Sequence, residues 1–110
     1  MKKIVIKTVP KSKIRNDGVG DYKDIKGGIE IMVAKMNDGN AEAEVAIHEF
    51  VEAILAKKRK ISFKKIDKFD REHREIKGEP GELKNSPYKK EHAIANKIEK
   101  VLAKELKKNA

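Results

Sequence analysis

Cysteine is absent from this 110-residue chain, which removes disulfides, thiolate metal sites and cysteine nucleophiles together. Aromatic residues are scarce as well, at 5% with no tryptophan, so a core must be built mainly from Ile, Val, Ala and Leu. No apolar run approaches the roughly 18 residues a membrane helix requires. Met1-Lys2-Lys3 leads into a short strand-like stretch rather than a signal peptide. The expectation is a cytoplasmic protein with no membrane association. With 38% apolar residues there is material for one modest core, and hence for a single domain over 1–110.

Lysine, by contrast, is abundant, and the net charge is +9. Residues 1–56 hold 9 Lys/Arg against 9 Asp/Glu, while residues 57–110 hold 18 against 9. The surplus therefore lies wholly in the second half, where it could attract nucleic acid or an acidic partner. Aromatics do not interleave with the basic residues, and the arginines are only Arg15, Arg59, Arg71 and Arg74. That balance suits a solvated surface better than bidentate readout.

The hydrophobic period divides the chain into a strand region, 1–40, and a three-helix region, 41–110. Lys2 to Val9 reads as a strand on its β-branched residues, and Pro10 ends it. Val19 to Asp24 is a weaker strand, and Lys26-Gly27-Gly28 a turn. Ile29 to Met36 is a good strand, closed by MNDGN, in which Asn40 is a candidate helix cap. The spacing then predicts helices over Ala41 to about Lys58, from a Ser62 cap to about Lys77, and from Tyr88 to about Lys108. The fold class expected is α+β: a small, mostly antiparallel sheet followed by three helices.

The first helix carries the specific signal, AEVAIHEFVEAIL. Stepped at about 100° per residue, its apolar side chains occupy nearly the whole circumference, which marks a buried element. His48 and Glu52 lie about 40° apart, one turn from each other, with Glu49 beside them. Burying an imidazole and two carboxylates without partners is costly, and a divalent metal satisfies them well. His48-Glu49-Phe50-Val51-Glu52 is an HExxE pattern. An i, i+4 pair puts two ligands on one face, and the intervening Glu49 can act as general base on a metal-bound water.

The other two helices each add a histidine. On the second, Asp70 and His73 fall in the middle of the stripe formed by Phe63, Ile66, Phe69 and Ile76. Asp-x-x-His puts carboxylate and imidazole one turn apart, a spacing found in metal-binding helices. A buried His–Asp hydrogen bond locking two helices is the competing account. His92 lies near the start of the third helix, in line with Ala95, Glu99, Ala103 and Leu106. These are the chain's three histidines, each on or beside the apolar face of a different helix, and three helices sharing one small core would bring them close.

This layout of strand, glycine turn, strand and buried HEFVE helix resembles a minimal zincin-like metallopeptidase. It is also similar to small phage and prophage proteins with a compact HExxE helix and a later PY…EH segment, here Pro87-Tyr88 and Glu91-His92. The resemblance implies His48 and Glu52 as ligands, Glu49 as base, and His92 or His73 as the third ligand. It implies Ile29 to Met36 as the edge that holds an extended peptide. Asp70 would be a further ligand or the acceptor that orients a histidine, and Tyr88 a donor to a developing oxyanion. Glu52 stands where zincins place a second histidine.

The leading expectation is thus a zinc-dependent hydrolase of peptidase type acting on a peptide or protein. Manganese, nickel or iron would fit the same ligands. The alternative is a basic accessory protein in which a structural metal or buried polar cluster performs no catalysis. An open coordination position separates the two. A metal-dependent phosphohydrolase ranks third, for want of an adjacent His-Asp pair.

Overall fold

The structure, a computed structural model, describes residues 1–75 and 78–107. Within them lie three strands, β1 (Lys3–Val9), β2 (Gly20–Ile25) and β3 (Gly28–Ala34). They are followed by three helices, α1 (Gly39–Lys58), α2 (Phe63–Glu72) and α3 (Lys89–Lys107). Short 3-10 turns at Lys11–Lys13 and Arg15–Asp17 link β1 to β2, and another at Pro80–Glu82 precedes α3. The fold is α+β.

The strand order is β1-β3-β2, with β1 parallel and β2 antiparallel to β3. The sheet is therefore mixed rather than mostly antiparallel. Residues 10–19 carry the chain across the end of the sheet, so β2 pairs on the far side of β3 instead of folding back on β1. The most apolar strand thereby takes the centre, where both of its edges are hydrogen-bonded. Ile29 to Met36 is consequently not the free peptide-binding edge that the zincin likeness implied. The strands with an open side are β1 and β2.

Burial follows the strand period of two. Ile29, Ile31 and Val33 are fully buried in a core shared with Tyr22, Ala53, Ala56, Phe63, Ile66 and Tyr88. Each of the three strand residues contributes about 1.5–3 kcal/mol by leaving water. On the opposite face Met32 and Ala34 pack with Ile14 and Val9, so the 3-10 turns cover that side. α1 lies over β2 and β3 and packs most extensively on α3. It does not extend over β1, where Ile4 and Ile6 stay about half exposed (50% and 52%).

Helix boundaries set where the site can form. Asp38, rather than Asn40, caps α1, its carboxylate accepting from the Asn40 amide at 2.9 Å. Ser62 caps α2 as expected, its hydroxyl accepting from the Lys65 amide at 3.1 Å. α2 then stops at Glu72, short of the expected end at Lys77. Ile76 and Lys77 lie outside the described residues, as does Lys108 at the expected end of α3. No helix among the described residues is long and apolar enough to cross a membrane.

Candidate metal centre

Where α1 crosses α3, two of the three histidines meet. His48 and Glu52 project from one face of α1, and His92 comes from the first turn of α3. All three are buried, at 8%, 4% and 4% exposure. Their ligand atoms lie within 4.8 Å of one another. Glu52 Oε2 is the hub, 3.1 Å from His48 Nε2 and 2.8 Å from His92 Nδ1. The two rings stand 4.9 Å apart, nearly edge to face at 71°.

The far side of each of these three side chains is also held. His48 Nδ1 lies 2.7 Å from Glu99 Oε1 on α3. His92 Nε2 lies 2.8 Å from Glu79 Oε2, an ion-pair contact too oblique for a directed hydrogen bond. Tyr22 on β2 donates to the other Glu52 oxygen at 2.8 Å. Each imidazole thus turns one nitrogen toward Glu52 and the other toward a carboxylate. Metal-ligating histidines are oriented in this way, with a carboxylate fixing the tautomer. On the outer edge of the same ring, Glu79, Glu82 and His92 form a second and more exposed group that could hold a cation.

The electrostatics match the geometry. Burial lowers the His92 pKa, but the hydrogen bond to Glu52 and the close Glu79 carboxylate outweigh it and hold the ring at about 10. Burial likewise lowers His48, yet Glu52 and Glu99 bring its net shift upward. Glu52 shows the reverse: burial raises it, and the two imidazoles pull it below the ordinary carboxylate value. The His92 ring keeps its proton between Glu52 and Glu79 and offsets part of their charge. A divalent ion would take the place of protons facing Glu52 and leave His48 Nδ1 and His92 Nε2 free to carry protons turned toward Glu99 and Glu79. Two ligands of a tetrahedral zinc are about 3.4 Å apart. The two contacts to Glu52, at 3.1 and 2.8 Å, lie within about 0.6 Å of that spacing, and two imidazole nitrogens with a carboxylate oxygen are a donor set that suits such an ion.

The centre opens on a cleft of about 370 Å³ lined by β2, α1, α2 and the Pro80–Glu82 turn. Glu49 lies in its wall, 3.9 Å from His48 Nε2. Burial raises its pKa well above the ordinary value, and Glu52, Asp21 and Asp70 add to the rise. Two glycines make room. A Cβ on Gly20 would come within 2.6 Å of Glu49 Cγ, and one on Gly81 within 2.6 Å of His92 Cγ.

Asp70, on α2, also faces the cleft, but no imidazole bonds to its carboxylate among the described residues. It accepts a hydrogen bond from Tyr88 Oη at 2.5 Å. Burial raises its pKa to about 6 against the pull of Tyr88. Asp70 is outside the close group of ligand atoms. His73 does not reach the centre at all. Because α2 ends at Glu72, His73 leaves helical geometry, and its ring stacks on Phe69 at 4.0 Å. Its Nδ1 is 2.7 Å from the Phe69 carbonyl, and the residue lines a separate groove with Lys65, Lys68 and Pro87. Of the two histidines expected as a third ligand, the structure brings His92, not His73, beside His48 and Glu52.

Sequence reasoning gave no role to Tyr22, Glu79, Gly20 or Gly81. Glu99 had the one usable signal, two helical turns after His92 on the same face. No family model, curated protein or solved structure matches this chain. The likeness to minimal zincins therefore rests on its own residues.

Proposed function

We propose that this protein is a metal-dependent hydrolase of zinc-peptidase type, in which His48, Glu52 and His92 hold the ion and Glu49 is the general base. The observation that carries the reading is the buried trio itself, with the outer nitrogen of each imidazole facing a carboxylate. An ion bound there supplies Lewis acidity toward a carbonyl and makes a water molecule more acidic. Glu49 then takes a proton from water in the cleft and passes it to the leaving amine. Burial favours this role by making its carboxylate more basic. The open side of β2 runs along the same cleft, where the outward-facing backbone of Gly20 could pair with an extended peptide, while Val19 faces β3 and its carbonyl accepts from the Ala34 amide. Arg15 already caps the Tyr22 carbonyl at 3.2 Å and would limit that pairing to a short stretch.

One observation favours a second reading, in which the cluster is structural and the protein a binding factor. The same contacts join α1 to α3 with protons alone. Elemental analysis of purified protein separates the two when combined with cleavage of a labelled casein. The hydrolase reading expects one divalent ion per chain, lost in His48→Ala and His92→Ala, and a Glu49→Gln variant that keeps the ion but loses cleavage. Ion-free protein whose melting temperature does not respond to added zinc would sink it. An ion retained in a wild type as inert as Glu49→Gln would leave the structural reading.

A further inference from the structure

Away from the cleft, the corner where α1 ends and α2 begins concentrates charge. Residues 57–68 hold seven basic residues and one acid, Asp67. Two of the seven are committed. Lys57 pairs with Asp24 and lies over the Phe63 ring, and Arg59 Nη1 is 2.7 Å from Glu91 Oε2. Asp67 is engaged by Asn16, Arg15 and Arg71. The other five, Lys58, Lys60, Lys64, Lys65 and Lys68, are exposed and make no ion pair among the described residues.

Lysines on a helix face are ordinarily just solvated, but three features here go further. Lys60 has φ 59°, directly after the end of α1, with the Ile61 amide donating back to Ala56 at 2.8 Å. Glycine is the unstrained choice at such a position, so a lysine there keeps its charge against a conformational cost. The Ser62-capped N-terminus of α2 opens within the same lysines and adds the positive end of its dipole. Charge is also sorted by face: Phe63, Ile66, Asp67 and Asp70 line the cleft, while Lys64, Lys65 and Lys68 are exposed.

We propose that this corner is a docking surface for nucleic-acid phosphates, held by charge without base readout. Lysines are point charges that suit phosphate, and the nearest arginine, Arg59, is already paired. No exposed aromatic is available to stack on a base. None of the exposed large apolar side chains (Met1, Ile4, Ile6, Val19, Ile98 and Val101) belongs to this stretch. A bilayer would find nothing to accept, which favours a nucleic acid over a lipid surface. The corner does not depend on the metal reading, and either can fail alone.

The test is fluorescence anisotropy of the full chain with a labelled mixed-sequence duplex over a salt series. Two triple variants remove equal charge: Lys60→Gln/Lys64→Gln/Lys68→Gln at the corner and Lys97→Gln/Lys100→Gln/Lys104→Gln on α3. The corner triple is expected to weaken binding at least about tenfold at low salt and to lower the slope of log K against log salt by about 2–3. The α3 triple is expected to stay within about threefold of wild type. Lys60→Gly should melt higher yet bind more weakly, which a purely structural residue would not do. Equal losses in both triples would reduce the effect to net charge and overturn the proposal. So would absence of duplex binding at low salt, or equally tight binding of phosphatidylserine vesicles or polyglutamate through the same lysines.

Discussion

Glu52 holds the centre together, because one oxygen meets both imidazoles and the other accepts from Tyr22. Removing one partner from such a buried charge cluster typically costs about 3–5 kcal/mol, since the remaining charges lose their compensation. Its neighbours allow a finer test. Glu99→Gln keeps a hydrogen-bonding group against His48 Nδ1 but removes the charge that makes the ring a better donor of electrons to an ion. Tyr22→Phe frees Glu52 Oε1 to turn. Each should weaken zinc affinity by about 10–100-fold in a chelator competition, with little effect on far-ultraviolet circular dichroism. Affinities within a factor of about two of wild type would mean that these groups only pack.

At the level of elements, the Pro80–Glu82 turn is pressed against the His92 ring. A Cβ on Gly81 would meet His92 Nδ1 at 2.7 Å and Cγ at 2.6 Å, whereas one on Gly39 would meet nothing within 4 Å. Gly81→Ala should therefore destabilise the protein by about 1–3 kcal/mol in chemical denaturation and displace the His92 ring. Gly39→Ala, at the exposed start of α1, should be neutral or stabilising by up to about 1 kcal/mol. Similar effects from both would show that the turn is free to move away. The contrast also explains what was legible in the chain. His48, Glu49 and Glu52 could be read because helical spacing alone puts them together inside an apolar helix. His73 could not be placed, since its projection assumed a helix that continues past Glu72. The central position of β3 was equally hidden, because strand periodicity says which faces are buried but not which strands pair. Glu79 and Glu99 acquire their roles only when α3 and the turn before it meet α1.

For the whole molecule, the proposed metal site would couple ion binding to protons and stability. In the ion-free protein His92 keeps its proton up to about pH 10, while in the unfolded chain it loses it near its ordinary value. The sign follows directly. Its contribution is fully present below about pH 6.5 and is lost as pH rises through about 10, so the empty protein should melt progressively lower over that window. The upward shift of His48 acts in the same direction. A divalent ion competes for the same nitrogens, so its affinity should rise with pH as protons are released, up to about two per ion. The melting temperatures of zinc-loaded and empty protein should therefore diverge between about pH 6.5 and 9. Calorimetric titration in two buffers of different ionisation enthalpy would count the protons. A gap that stays constant with pH, or a titration with no proton release, would mean that zinc binds away from His48 and His92, and the buried trio would then be a proton-sharing clamp between α1 and α3.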